Sequence, residues 1–129
     1  MDLVERDEAF IAFWRERHYS TLTTVRPDGT PHVVPVGVTL DPVAGVARVI
    51  TSGTSRKAVL AAASDGVAVA LCQVDGRRWS TLEGRAVVRR EPEEVADAVL
   101  RYTERYKPPR PNPARVVLEI HITRVLGNM

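Results

Sequence analysis

Between Tyr19 and Leu40 the chain has little freedom of fold. Two β-rich runs meet there in the four residues Arg26-Pro27-Asp28-Gly29. Pro27 presets the φ of a turn and Gly29 takes the positive φ that closes it. Strands joined so tightly run antiparallel, because a parallel pair needs a crossover of a dozen residues or more. The same economy recurs along the chain. Asp41 to Gly45 is a second turn, leading into a strand over Val46 to Thr51, and Asp75-Gly76 joins Val67–Val74 to Trp79–Arg89. A last strand, Arg115 to Leu126, alternates Val116, Leu118, Ile120 and Ile122 against Val117, Glu119, His121 and Thr123. With Tyr19–Val25 and His32–Leu40 this predicts six strands. Closing them into a barrel removes exposed edges. The expected class is mainly β, an antiparallel β-barrel with packed helices. A doubly wound parallel sheet fits poorly, because most connections are too short.

Three helices are predicted. Phe10, Phe13 and Trp14 recur at helical spacing within Val4–His18. An Ala-rich helix follows Lys57 and stops at Asp65-Gly66, and a third covers Pro92 to Tyr106 with Pro92 in its first turn. The proline-rich run Lys107 to Pro113 is a stiff loop rather than a boundary, so residues 1–129 are expected to form a single domain.

Composition narrows the class of function. Apolar residues make up 44% and charged residues 26%, values of an ordinary globular protein. No run approaches the ~18 apolar residues of a membrane span. Met1 to Phe10 holds four acidic residues and no apolar core, so no signal peptide is expected. A lone Cys72 makes neither an internal disulfide nor a zinc cluster. A cytoplasmic protein, with neither membrane nor nucleic acid as partner, is the expectation. Net charge is only +2, but arginines outnumber lysines 16 to 2, which singles out Lys57.

Thr51 to Lys57 is the most informative segment. A strand ends, Gly53 opens the chain, and a helix begins near Thr54 or Ser55. Helix N-termini carry free N–H groups and partial positive charge, so Arg56 and Lys57 are electrostatically misplaced there. An anion held with the hydroxyls of Thr51, Ser52, Thr54 and Ser55 would remove the conflict, and phosphate is the natural candidate. The alternative is an exposed helix start with two solvated bases. His32 follows Pro31 and opens a strand; it is either a ligand to a cofactor or an ordinary strand-end histidine. No ligand set at metal spacing accompanies it, so no metal is expected. Pro35 and Gly37 interrupt an otherwise β-branched strand. They mark either a bulge or edge, or a surface against which a flat ring lies. Trp79, beside Arg77 and Arg78, is either a stacking surface for an anionic ligand or barrel packing.

The chain carries no Gly-x-Ser-x-Gly elbow, no His-Glu-x-x-His and no Cys-x-x-Cys. If it is an enzyme, the reactive atom belongs to a bound cofactor.

These segments resemble a known family from end to end. Leu22-Thr23-Thr24-Val25-Arg26-Pro27-Asp28-Gly29, Pro31-His32-Val33-Val34-Pro35-Val36, Ser55-Arg56-Lys57-Ala58 and Trp79-Ser80-Thr81-Leu82-Glu83-Gly84-Arg85-Ala86 look like the flavin and deazaflavin oxidoreductases of the pyridoxamine-phosphate-oxidase-like split-barrel superfamily. Leu71-Cys72-Gln73-Val74-Asp75-Gly76 and the run from Arg101 to Pro113 are similar to the deazaflavin-dependent biliverdin reductases of actinobacteria. The resemblance implies a split β-barrel, a homodimer with cofactor sites at the subunit interface, and coenzyme F420 as hydride donor. It implies phosphate contacts at Thr51, Ser52, Arg56 and Lys57, with Ala58 beside them. Ring contacts fall on His32, Val33, Val34, Pro35, Val36 and Gly37, with further contacts at Gln73 and Trp79. The implied acceptor is biliverdin or a similar conjugated molecule, whose propionates would want arginines such as Arg77, Arg78 or Arg110. Two other readings stay open: an FMN-dependent oxidase of the same superfamily, and a non-catalytic protein that binds flavin, haem or tetrapyrrole.

Overall fold

The computed structural model describes residues Met1–Met129. Seven strands form one antiparallel sheet: β1 (Ser20–Val25), β2 (Pro31–Val36), β3 (Val38–Asp41), β4 (Val46–Ser52), β5 (Val67–Asp75), β6 (Arg78–Arg89) and β7 (Arg115–Gly127). Their order across the sheet is β2-β1-β5-β6-β7-β4-β3. Three helices accompany them: α1 (Glu8–Phe13), α2 (Arg56–Ala61) and α3 (Pro92–Arg105).

The sheet has seven strands where six were expected, because His32–Leu40 is not one strand. Gly37 divides it. β2 pairs with β1, Val36 opposite Ser20, while β3 pairs with β4, Val38 opposite Val49. These strands are the two outer members of the sheet, yet one residue separates them. Chain geometry keeps the Cα atoms of Val36 and Val38 within about 7.6 Å of each other. Both edges must therefore meet at Gly37, and the sheet curls into a barrel closed at that corner.

The concave side is the core. Leu22, Val36, Val38, Val49, Leu71, Leu82, Leu118 and Ile120 are buried there, with Phe10 and Trp14 packed among them. α1 is much shorter than the predicted Val4–His18. Asp7 caps it by accepting from the Ala9 N–H at 2.9 Å. It stops early because carbonyls that a longer helix would use internally are taken by distant side chains. The Phe13 carbonyl accepts from Gln73 Nε2 at 2.8 Å and the Glu16 carbonyl from Arg105 Nε at 2.9 Å. α3 lies over β3, β4 and β7. Val117, on the side of β7 opposite Val116 and Leu118, is buried as well. No helix is long and apolar enough to cross a membrane.

A cationic cleft at the closed corner

The corner at Gly37 carries the candidate site. Pro35, Val36 and Gly37 form one wall of a cleft of about 260 Å³. Ile50 and Thr51, from the end of β4, form a second wall beside Lys57 of α2. Tyr102 of α3 and the residues Pro109, Asn112 and Arg115 complete it. Strand register explains why distant residues meet. Ser52 lies opposite Arg115 in the β4–β7 ladder, so the segment entering β7 is laid beside the end of β4. Asn112 fastens that segment, with Nδ2 donating to Ser52 Oγ at 2.8 Å.

The chemistry of the cleft is one-sided. Lys57 and Arg115 face it, and no carboxylate lines it. Lys57 has no hydrogen bond or ion pair, and burial alone lowers its pKa from the ordinary lysine range. A partly desolvated ammonium without a partner is costly, and an anion placed beside it relieves that cost. The stretch Pro35 to Gly37 adds no charge to the cleft. Pro35 has no N–H to offer, and Gly37 has no side chain. A Cβ at Gly37 would stand 2.7 Å from Cε2 of Tyr102, so the glycine lets this tyrosine approach the backbone. The interruption of the strand thus has a packing cause, and Pro35 sits on an edge strand where a missing donor is tolerated.

Of the residues expected at the site, Pro35, Val36, Gly37, Thr51 and Lys57 are brought together. Thr51 Oγ1 donates to Ser55 Oγ at 3.0 Å, and Ser55 caps α2 by accepting from the Ala58 N–H at 3.3 Å. Others stand apart. Val33 is exposed further along β2, Val34 packs against the core, and the His32 ring lies 3.4 Å from Thr24 Oγ1. Arg56 is exposed outside the cleft, and Ser52 is engaged by Asn112.

Two further expected residues are buried and do not line the cleft. Ala58 is fully buried on the inner face of α2. Gln73 is also fully buried, and its amide is spent inside the protein. Its Oε1 accepts from Arg105 Nη2 at 2.6 Å and Ser20 Oγ at 3.3 Å, while its Nε2 holds the Phe13 carbonyl. Arg105 also donates to the Val38 carbonyl at 2.6 Å, and Tyr106 Oη receives the Val38 N–H at 3.2 Å. Gln73 therefore belongs to a network that fixes the backbone just past Gly37. Burial lowers the Arg105 pKa and raises that of Tyr106.

Trp79 and the arginines beside it also lie elsewhere. Trp79 pairs through its backbone with Asn128, just past the end of β7, whereas the first residue of β7 lines the cleft. Arg78 is not free for a ligand. It donates to Glu16 Oε2 and Oε1 at 2.9 and 2.8 Å and also pairs with Asp75. Those bonds, with a smaller part from His18, hold the Glu16 carboxyl at about 2. Glu16, His18 and Asp75 are close enough to share a metal ion. The Arg78 guanidinium already pairs with both carboxylates, so the group is an ion-pair cluster. The cleft residues missed by sequence reasoning are Ile50, Tyr102 and Arg115, while Pro109 and Asn112 belong to the stiff proline-rich loop. The strand-entry position of Arg115 was the available signal for one of them.

Comparison with known proteins bears on the family and the fold. The family model described as pyridoxamine 5'-phosphate oxidase matches residues 7–128. An F420H2-dependent biliverdin reductase of Mycobacterium tuberculosis is 58% identical over 118 residues, covering 92% of this chain and 85% of that protein. Among solved structures, an F420 reductase superposes with a TM-score of 0.70 at 26% identity, covering 93% of this chain and 98% of the other. A conserved hypothetical protein of Mycobacterium tuberculosis superposes with a TM-score of 0.75 at 28% identity, covering 98% and 86%.

Proposed function

The chain belongs to the pyridoxamine 5'-phosphate oxidase family, and we propose that it is a coenzyme F420-dependent reductase whose acceptor is biliverdin or a closely similar conjugated tetrapyrrole. The observation that carries this reading is the cleft at Gly37, which brings the uncharged stretch Pro35 to Gly37 together with Lys57 and Arg115 and holds no carboxylate. Such a site fits a planar ring with an anionic arm. Similarity to the mycobacterial biliverdin reductase, at 58% identity, supports the choice of deazaflavin and of acceptor.

The reduced deazaflavin, when bound, supplies a hydride. The chain's own residues supply position. Lys57 and the Thr51 hydroxyl take the phosphate arm, so the charge conflict at the start of α2 disappears. The backbone of Pro35 to Gly37 supports the ring, held in place by Arg105 and Tyr106 through Val38. No side chain in the cleft is a nucleophile paired with a base, so catalysis rests on orientation and exclusion of water.

The reading includes a homodimer. Thr21, Val25, Val33, Pro35, Val74 and Trp79 are exposed and share one outward sheet face by register, with no charge among the six. A second copy would cover this face, and Trp79 then serves the interface rather than its own cleft. The test is an anaerobic assay of the purified protein with reduced F420 and biliverdin, followed by absorbance. Conversion to bilirubin with stoichiometric F420 oxidation is expected. Failure to consume biliverdin while other acceptors are reduced would overturn the acceptor.

A further inference from the structure

We propose that Tyr102 is the proton donor of the reaction, giving its phenolic hydrogen to the acceptor as the hydride arrives. A hydride brings two electrons and one hydrogen to a carbon of a conjugated acceptor. The electron pair displaced along the conjugation comes to rest on a ring nitrogen, which then needs a proton. In this step the Tyr102 O–H bond breaks and an N–H bond forms. The acceptor is reduced by two electrons, the hydride donor is oxidised by two, and water returns a proton to the phenolate.

The cleft offers few other sources. Among its lining residues only Thr51, Lys57, Tyr102, Asn112 and Arg115 carry a side-chain O–H or N–H. Thr51 Oγ1 donates to Ser55 Oγ at 3.0 Å, and Asn112 Nδ2 to Ser52 Oγ at 2.8 Å. A guanidinium keeps its proton, which removes Arg115. Lys57 is taken by the phosphate arm. The two other tyrosines do not serve either. Tyr106 donates its hydroxyl to the His18 carbonyl at 2.6 Å and accepts the Val38 N–H at 3.2 Å, and Tyr19 lies outside the cleft. The Tyr102 hydroxyl has no partner within the chain, yet Arg48 Nη1 is the only buried side-chain polar atom left without a hydrogen bond. The phenol is therefore open to solvent and to a ligand.

Its position is fixed by folding. Tyr102 and Tyr106 stand one turn apart on α3, and their ring centroids lie 4.9 Å from each other. Gly37 admits the other side of the ring, with Cε2 and Cζ of Tyr102 at 2.7 and 3.5 Å from the place a Cβ would take. The hydroxyl is one bond beyond Cζ, so it stays beside Gly37, against the backbone proposed to support the deazaflavin. A donor already in place where the hydride is delivered needs no rearrangement to act.

The assignment deepens the proposed function and rests on the reductase reading. The test is Tyr102→Phe in the full chain, which keeps the ring and its packing against Gly37 and Tyr106 and removes only the hydroxyl. Affinity for oxidised F420, read by fluorescence, is expected to stay within twofold. With oxidised F420 bound no hydride can pass, so biliverdin is titrated into that complex and its absorption band recorded. A band displaced between the two proteins is expected, because the wild-type hydroxyl donates to a ring nitrogen. Turnover with reduced F420 should fall at least tenfold in the variant. At fixed pH and ionic strength, added imidazolium should raise the variant's rate, by supplying the missing acid, and leave the wild-type rate unchanged. A loss below tenfold, identical bands, or a loss that imidazolium leaves untouched would overturn the proton donor. A loss of F420 affinity as large as the loss of rate would also overturn it and make Tyr102 a packing residue. Wild-type turnover judges the reductase reading on its own, and its absence with any acceptor would overturn both.

Discussion

Lys57 holds an unpartnered, partly buried ammonium, and burial pulls its pKa below the ordinary lysine range. The unfolded chain therefore binds more protons than the folded one between the lowered value and the ordinary one. Stability rises with pH across that window, so the charged form of Lys57 is a local cost to folding. An anion in the cleft reverses the balance by favouring the ammonium. Lys57→Ala is expected to weaken F420 binding by roughly 1.5–3 kcal/mol, the scale of a charge-assisted hydrogen bond, with no loss of thermal stability. Wild-type affinity should also fall as alkaline pH removes the proton, while the variant's stays flat. Fluorescence titrations of both proteins across the alkaline range check this, and identical affinities would remove Lys57 from the site. Lys57 was legible in the sequence because a cation at a helix start conflicts with local electrostatics. Tyr102 was not, and the strand-entry position of Arg115 says nothing of which strand it will lie beside. Arg115 reaches the cleft only because the β4–β7 register sets it opposite Ser52.

At the scale of elements, the break at Gly37 does most to make the site. Val34, Val36, Val38 and Leu40 keep a regular alternation through it, so a period of two cannot reveal that the strand changes partners. Proline and glycine were the only local signs, and both admitted an edge or a ligand surface. The structure supplies the edge through sheet order and the glycine through Tyr102. Hairpins and the final strand were legible because their turns and alternation are local. The shortening of α1 was not, since it depends on Gln73 and Arg105 from far along the chain. Gly37→Ala places a methyl 2.7 Å from the Tyr102 ring and should destabilise the protein by about 1–3 kcal/mol, the usual range for overpacking. Tyr102→Ala in the same chain should recover most of that loss. Urea denaturation of the two single variants and the double one gives the coupling, and additive effects would show that the two positions do not press on each other.

For the whole molecule, one sheet does two jobs. Its concave side is the core, and its outward face over β2, β1, β5 and β6 carries exposed uncharged residues in register, among them Val33, Pro35, Val74 and Trp79, with Arg85 at its margin. A charge placed there should prevent a second copy from docking without disturbing the core. Val33→Asp combined with Val74→Asp is expected to convert a dimer into a folded monomer, as read by analytical ultracentrifugation and circular dichroism. A wild-type monomer at micromolar concentration would contradict the assembly. The central claim concerns the cleft at the closed corner, where an uncharged stretch at Gly37 meets Lys57 and Arg115 without a carboxylate. Its most direct test is a parallel fluorescence titration of the purified protein with oxidised F420 and with FMN. The account predicts saturable F420 binding at low micromolar affinity or tighter, with FMN at least tenfold weaker. Preferential FMN binding would contradict it and assign the cleft to a flavin oxidase, and binding of neither would leave the fold without the proposed function.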